Sequence, residues 1–121
     1  MVFSSRFRKG PPPKLEILFL GTLVAELTKE MKGGRALYTF RYLPQFLQLR
    51  LAPLPGLPYS QSPRESGELW PYFAERIPDS RRPEIHAWMK AKHLTDADDI
   101  QLLAELGGHS VTDPFQIRLA A

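Results

Sequence analysis

Residues 14–42 read KLEILFLGTLVAELTKEMKGGRALYTFRY, and this stretch decides the fold class. Leu15, Ile17 and Phe19 fall on one face of an extended chain, with Glu16, Leu18 and Leu20 on the other. After Gly21 a second alternation sets Leu23, Ala25 and Leu27 against Val24, Glu26 and Thr28. Gly33-Gly34 supplies the backbone freedom for another reversal. A third run then places Ala36, Tyr38, Phe40 and Tyr42 on one face and Leu37, Thr39 and Arg41 on the other. Period-two alternation rich in aromatic and aliphatic residues predicts strands. Two such short reversals predict an antiparallel three-stranded meander covered on one face.

Further along, the pattern changes. Leu43 to Leu51 is expected to form a short helix, with Phe46, Leu47 and Arg50 at helical spacing. The segment APLPGLPYSQSPRESG (52–67) holds four prolines and two glycines in sixteen positions, and that composition predicts a long surface connection without regular structure. From Trp70 onward the period is helical. Pro71 suits a first helical position, Phe73, Ala74 and Ile77 share a face, and Pro78 marks the end. Asp79 or Ser80 is placed to cap a second helix carrying Ile85, Trp88 and Met89 on one side. Thr95 and Asp98 have capping-box-like spacing before a third helix lined by Ile100, Leu103 and Leu106, which Gly107-Gly108 closes. Phe115 to Leu119 alternates and is expected to add a strand. The predicted fold is therefore α+β, a small antiparallel β-sheet packed with three to four short helices. Residues 1–13, with a Pro11-Pro12-Pro13 run, are expected to be a basic, flexible leader before a single domain over 14–121.

Composition narrows the function. Of 121 residues, 43% are hydrophobic and 24% charged, as in an ordinary globular domain, and none is cysteine. Disulfides and thiolate metal sites are thereby excluded, which suits a reducing, cytoplasmic setting. The longest apolar run, Ile17 to Leu20, is far short of the roughly 20 residues needed to span a bilayer. The N-terminus lacks the apolar core of a signal peptide, so no membrane role is expected. Residues 1–50 carry nine Lys/Arg and three Glu, a charge of +6, against seven Lys/Arg and ten Asp/Glu (−3) in residues 51–121. Beyond Arg6, Arg8, Lys9 and Lys14 the basic residues do not gather into a stripe, so direct nucleic-acid binding is not expected.

No catalytic set emerges. His86 and His93 lie two turns apart, but no third ligand stands at metal spacing, and His109 follows a glycine pair. Asp96, Asp98 and Asp99 lack the alternating ligands and distal Glu of a calcium loop, and favour instead the N-terminal end of a helix dipole. Gly33-Gly34-Arg35 lacks the remaining glycines and Lys-Ser/Thr of a phosphate loop, and no G-x-S-x-G elbow is present. The reading is a protein that is not an enzyme and takes no cofactor or metal. Its most informative side chains are aromatic. Trp70, preceding a proline, is displaced from the phase of the helix that follows. It either projects from the loop edge as a contact residue or folds back as a local lid. An exposed Trp buries about 150–250 Å² in a partner, and such residues dominate interface energetics.

In order along the chain, these elements resemble the N-terminal subdomain of HipA-family Ser/Thr kinases, the toxins of bacterial toxin–antitoxin modules. Leu15–Leu27 is similar to the opening hairpin of that family, followed by Gly33-Gly34 and the F-x-Y-like Tyr38-Thr39-Phe40-Arg41-Tyr42. Pro53-Leu54 and Leu57-Pro58 stand in the place of a P-L-x-x-x-L-P segment, and Pro71 to Asp79 in that of P-F-F-x-x-L-L-P-E-G. Asp99, Leu102-Leu103 and Gly107-Gly108-His109 match the closing acidic, Leu-Leu and G-G-D elements, with His109 departing from the family's Asp. The G-A-L continuation and the kinase core are missing, so a detached subdomain is expected, similar to the HipS-type subunits of three-component modules.

The resemblance implies a non-catalytic antitoxin that binds and inhibits a HipT/HipA-like Ser/Thr kinase. A HipB-like DNA-binding protein would then join only through the ternary complex. The contact residues expected on this basis are Tyr59, Glu68, Trp70, Pro71 and Tyr72. The alternative is a DNA-associated component of such a complex, acting through the basic leader.

Overall fold

A computed structural model of the chain describes residues 14–77, 81–92, 99–106 and 114–120. The predicted meander is present: β1 (Lys14–Phe19), β2 (Thr22–Lys32) and β3 (Arg35–Tyr42) pair antiparallel in sequence order. Both hairpin loops have two residues with positive φ, 47° and 90° at Leu20-Gly21 and 58° and 79° at Gly33-Gly34. Two left-handed residues give the turn whose twist matches that of the flanking strands. Two further strands widen the sheet. β4 (Arg64–Ser66) pairs with β3, and β5 (Phe115–Leu119) pairs with β1, giving the order β4-β3-β2-β1-β5. The helices are α1 (Pro44–Gln48), α2 (Pro71–Ala74), α3 (Pro83–Ala91) and α4 (Asp99–Leu106). The α+β class is as expected.

The strict alternation predicted for the first hairpin breaks at a β-bulge. Ile17 pairs with Ala25 but Leu18 with Leu23, leaving Val24 as the extra residue. A bulge shifts the phase of every side chain beyond it. Val24 and Ala25 consequently both join the core cluster, although alternation places Val24 on the outer face of β2; Leu18, on the unbulged β1, is buried outside that cluster. The carbonyl of Val24 accepts the N–H of Leu43 at 2.8 Å, and this bond starts α1 beside the first hairpin.

The inner face carries the core: Leu15 and Ile17 of β1, Ala25 and Leu27 of β2, Tyr38, Phe40 and Tyr42 of β3, and Ile117 of β5. Phe46, Phe73, Ile100 and Leu103 close it from the helices. The outer face is held by charge. Glu16 and Glu26 are paired in register, a like-charge arrangement that alone destabilises a sheet. Arg118 meets Glu16 at 2.9 Å, and Arg41 and Lys14 meet Glu26 at 2.7 and 3.3 Å, which offsets that repulsion.

The largest departure from expectation lies in residues 52–67. They are indeed mostly irregular, yet Leu54 and Leu57 are among the core residues, and Arg64–Ser66 is a strand. Leu54-Pro55-Gly56-Leu57 forms a turn closed by the Leu57 N–H on the Leu54 carbonyl (2.9 Å), with Gly56 at φ 75°. Proline followed by a left-handed glycine is the sequence of a type II turn. The Tyr42 hydroxyl pins this turn, accepting the Leu54 N–H at 2.9 Å and donating to the Leu57 carbonyl at 2.5 Å.

Smaller differences concern the helices. In α1 only Phe46 is buried; Leu47 and Arg50 face solvent, because the helix ends after five residues. Ala74 is exposed while Phe73 is buried and Ile77 half-buried. The cap of α3 is Arg82, with Pro83 at the first position, rather than Asp79 or Ser80, which with Pro78 lie outside the described residues. Met89 is buried and Trp88 half-buried, and neither belongs to the main core cluster. Ile100 and Leu103 are buried as expected; Thr95, Asp96, Asp98, Gly107 and Gly108 lie outside the described residues. Asp99 does more than begin a helix. Its carboxylate accepts a hydrogen bond from the Tyr38 hydroxyl and pairs with Lys29 Nζ at 3.0 Å, tying α4 to β2 and β3.

Removing the hydroxyl that pins the proline-rich turn leaves a buried donor and acceptor without partners. Tyr42→Phe is expected to lose about 1–3 kcal/mol of unfolding free energy, read as a lower urea midpoint at unchanged m-value.

Candidate functional site

Of the predicted contact residues, Tyr59 and Trp70 stack on aromatics of β3 and α1, whereas Tyr72 is tied through Arg76 to Phe115 of β5, the opposite edge strand of the sheet. Trp70 is the N-cap of α2, extended at φ −61° and ψ 146°, as its position before Pro71 requires. Its indole is half-buried and sits on Phe40 at a centroid distance of 6.2 Å, edge to face. It thus packs against the core as a partly buried residue. Phe40 also meets Tyr42 at 4.8 Å and Phe73 at 5.7 Å. Tyr59 stacks on Phe46 (6.2 Å, 5° between planes) and lies 5.6 Å from Tyr42. The result is an aromatic row from Trp70 through Phe40 and Tyr42 to Tyr59, with its outer members half-exposed.

Tyr72 is half-buried against Phe73 at 5.1 Å, and Pro71 and Glu68 are exposed. The Glu68 N–H bonds to the Ser66 hydroxyl at 3.0 Å, fixing the chain just before Trp70.

Two arginines that sequence reasoning did not assign hold this surface in shape. The Arg64 guanidinium donates to the Pro58 carbonyl from Nη2 (2.9 Å) and Nε (3.3 Å), closing the loop that carries Tyr59. Arg76 lies over the Tyr72 ring at 5.7 Å and donates to its hydroxyl at 3.3 Å and to the Phe115 carbonyl at 3.1 Å. The Tyr72–Arg76 spacing of four was visible as a helical pair. The contact with Phe115, 39 positions away, had no local signal. Of the histidines, His86 is exposed; His93 and His109 lie outside the described residues. Among the described residues no three potential metal ligands gather in one place, and no helix is long and apolar enough to cross a membrane.

Electrostatics at this edge centre on two tyrosines. Burial raises the Tyr42 hydroxyl above its ordinary 10.0, against the opposing pull of the Leu54 N–H and the Arg64 charge. Burial also raises Tyr38, reinforced by its hydrogen bond to the Asp99 carboxylate and by that charge. On the outer face, burial pushes Glu26 upward, but the bonds from Arg41 and Lys14 outweigh it and hold the carboxyl below its ordinary value.

A single five-stranded antiparallel sheet, helices over its inner face and a braced aromatic edge define a small α+β domain. A family model described as the HipA N-terminal domain matches residues 15–111. The chain belongs to the HipA N-terminal domain family. Its fold is similar to that of a solved chain titled "N-terminal domain of HipA toxin", with a TM-score of 0.58 and 19% identity over 93% of this chain and 97% of that one. A search of curated proteins returned no match.

The raised tyrosines carry a pH dependence. Above pH 10 an unfolded chain loses these protons while the folded chain retains them, so stability is whole below 10 and falls as pH rises beyond it. Urea midpoints are expected to hold up to about pH 10 and to decline above it. Tyr38→Phe and Tyr42→Phe should each flatten that decline.

Proposed function

We propose that this chain is a non-catalytic antitoxin that binds and inhibits a HipT/HipA-like Ser/Thr kinase, using the surface around Tyr59, Glu68, Trp70, Pro71 and Tyr72. Membership in the HipA N-terminal domain family supports a place in a toxin–antitoxin setting. The observation that carries the rest is the half-exposed Trp70, set on Phe40 and held at the end of a loop braced on both sides. A large aromatic already fixed in one conformation loses little entropy on docking, which is the property of an interface hot spot. The kinase surface would receive the indole, flanked by Tyr72 and the exposed Pro71, and inhibition would follow from occluding or distorting the kinase active site. The absence from the sequence of a phosphate loop and of a nucleophile elbow supports the non-catalytic part of the reading.

Co-expression with a HipA-family kinase that lacks this N-terminal domain tests the reading. The wild-type chain is expected to restore growth and suppress autophosphorylation. Trp70→Ala should lose neutralisation and weaken binding at least about ten-fold while keeping the wild-type circular dichroism. Full neutralisation by a folded Trp70→Ala protein would remove Trp70 from the mechanism.

A further inference from the structure

One end of the sheet carries a second apolar surface. The β1–β2 hairpin, the start of β5 and the end of β3 with α1 after it all meet there, joined by the Leu43–Val24 hydrogen bond. Three of its leucines are left in solvent: Leu20 at 79% exposure, Leu47 at 52% and Leu49 at 36%. Among the described residues the two non-glycine positions with positive φ are also here, Leu20 (47°) and Arg50 (54°). A leucine at the first loop position of a tight hairpin is a poor choice for folding, since asparagine or glycine adopts that conformation with less strain. A strained backbone carrying a fully presented apolar side chain is better explained by contact than by stability.

Charge decides what kind of contact. Residues 17–25 carry no charge at all, and residues 43–63 carry one, Arg50. No described carboxylate pairs with it. A two-fold dimer through this end would bring its lone cation against its copy, with no acid in the patch to offset the repulsion. Binding to an anionic membrane surface needs several basic residues, not one. The α1 end of this surface also lies beside the aromatic edge, because the buried Phe46 of α1 stacks on Tyr59. A stable protein interface covers about 800 Å² on each partner, of which a single aromatic side chain supplies about 150–250 Å².

We propose that the sheet end formed by Leu20, Leu47, Leu49 and Arg50 is a second protein-contact surface. Its partner presents an apolar hollow beside a carboxylate that meets Arg50. The inference rests on the antitoxin reading and deepens it, by stating the chemistry that the kinase must offer next to the Trp70 contact.

The test is the affinity of the full chain for a HipA-family kinase that lacks this N-terminal domain. Leu20→Asn and Arg50→Asn suit the left-handed backbone, so they delete the contact group without endangering the fold. Leu47→Gln keeps a good helix former. The Leu20→Asn/Leu47→Gln protein is expected to bind at least about ten-fold more weakly while melting at the wild-type temperature or above it. Arg50→Asn is expected to slow association and reduce its dependence on salt. If the wild type binds, Trp70→Ala weakens it, and these three substitutions change nothing, the second surface is overturned and the antitoxin reading stands. If the wild type does not bind the kinase at all, both fall. A dimer of the chain alone that Leu47→Gln dissolves, or binding to phosphatidylserine vesicles that it abolishes, also overturns the assignment.

Discussion

The hydroxyl of Tyr42 sits between the N–H of Leu54 and the carbonyl of Leu57, and much of the molecule depends on that position. The proline-rich segment that follows α1 bonds to itself locally, in the Leu54–Leu57 turn and the Arg64–Pro58 clasp, and to the sheet through Tyr42. Pinned at this one point, its Leu54-Pro55-Gly56-Leu57 turn places two leucines in the core. The chain that leaves the turn then passes Tyr59 over Phe46 and closes on Arg64, from which β4 completes the edge of the sheet. Every later element of the aromatic surface inherits its place from this arrangement. A buried hydroxyl with both of its hydrogen bonds made stabilises modestly in net terms, but leaving its partners unmet is costly, so the position is strongly specified.

The two faces of the sheet divide the work. The outer face is a charge ladder in which Arg118, Lys14 and Arg41 surround a like-charged pair, Glu16 and Glu26. The inner face takes the core and the helices, and its β3 edge presents the half-buried aromatics. Of the five exposed large apolar side chains among the described residues, Leu20, Leu47 and Leu49 lie at the end of the sheet that carries the first hairpin and α1, and Met31 and Leu119 at the other end. For a domain of the HipA N-terminal family, this distribution suits a body that is held by another protein along one edge and around one end, leaving the charged face in water.

Much of this was readable from the residues. Strands over 14–42 follow from local alternation and short glycine reversals, and Trp70 before Pro71 fixes its own extended backbone. Asp99 was legible as a helix start, but not as the group that bonds Tyr38 and Lys29, since those lie 61 and 70 positions away. Period-two reasoning places Val24 on an outer face because it assumes an unbroken ladder, and the bulge adds one residue to β2 alone. Arg82 rather than a polar residue caps α3, because Pro83 preorganises the first turn and dispenses with one N–H that needs a cap.

The sequence by itself determined the class of fold, the three-stranded meander and the residues from which a contact surface is drawn, because these depend on periodicity and on backbone preferences acting over a few residues. Only the tertiary structure decided that a segment with the composition of a loop enters the core and supplies a strand. That outcome depends on a hydroxyl twelve to fifteen residues away meeting a turn that satisfies it. It also decided that Trp70 rests on Phe40 as a partly buried residue, since the exposure of a side chain is set by what the rest of the chain leaves uncovered.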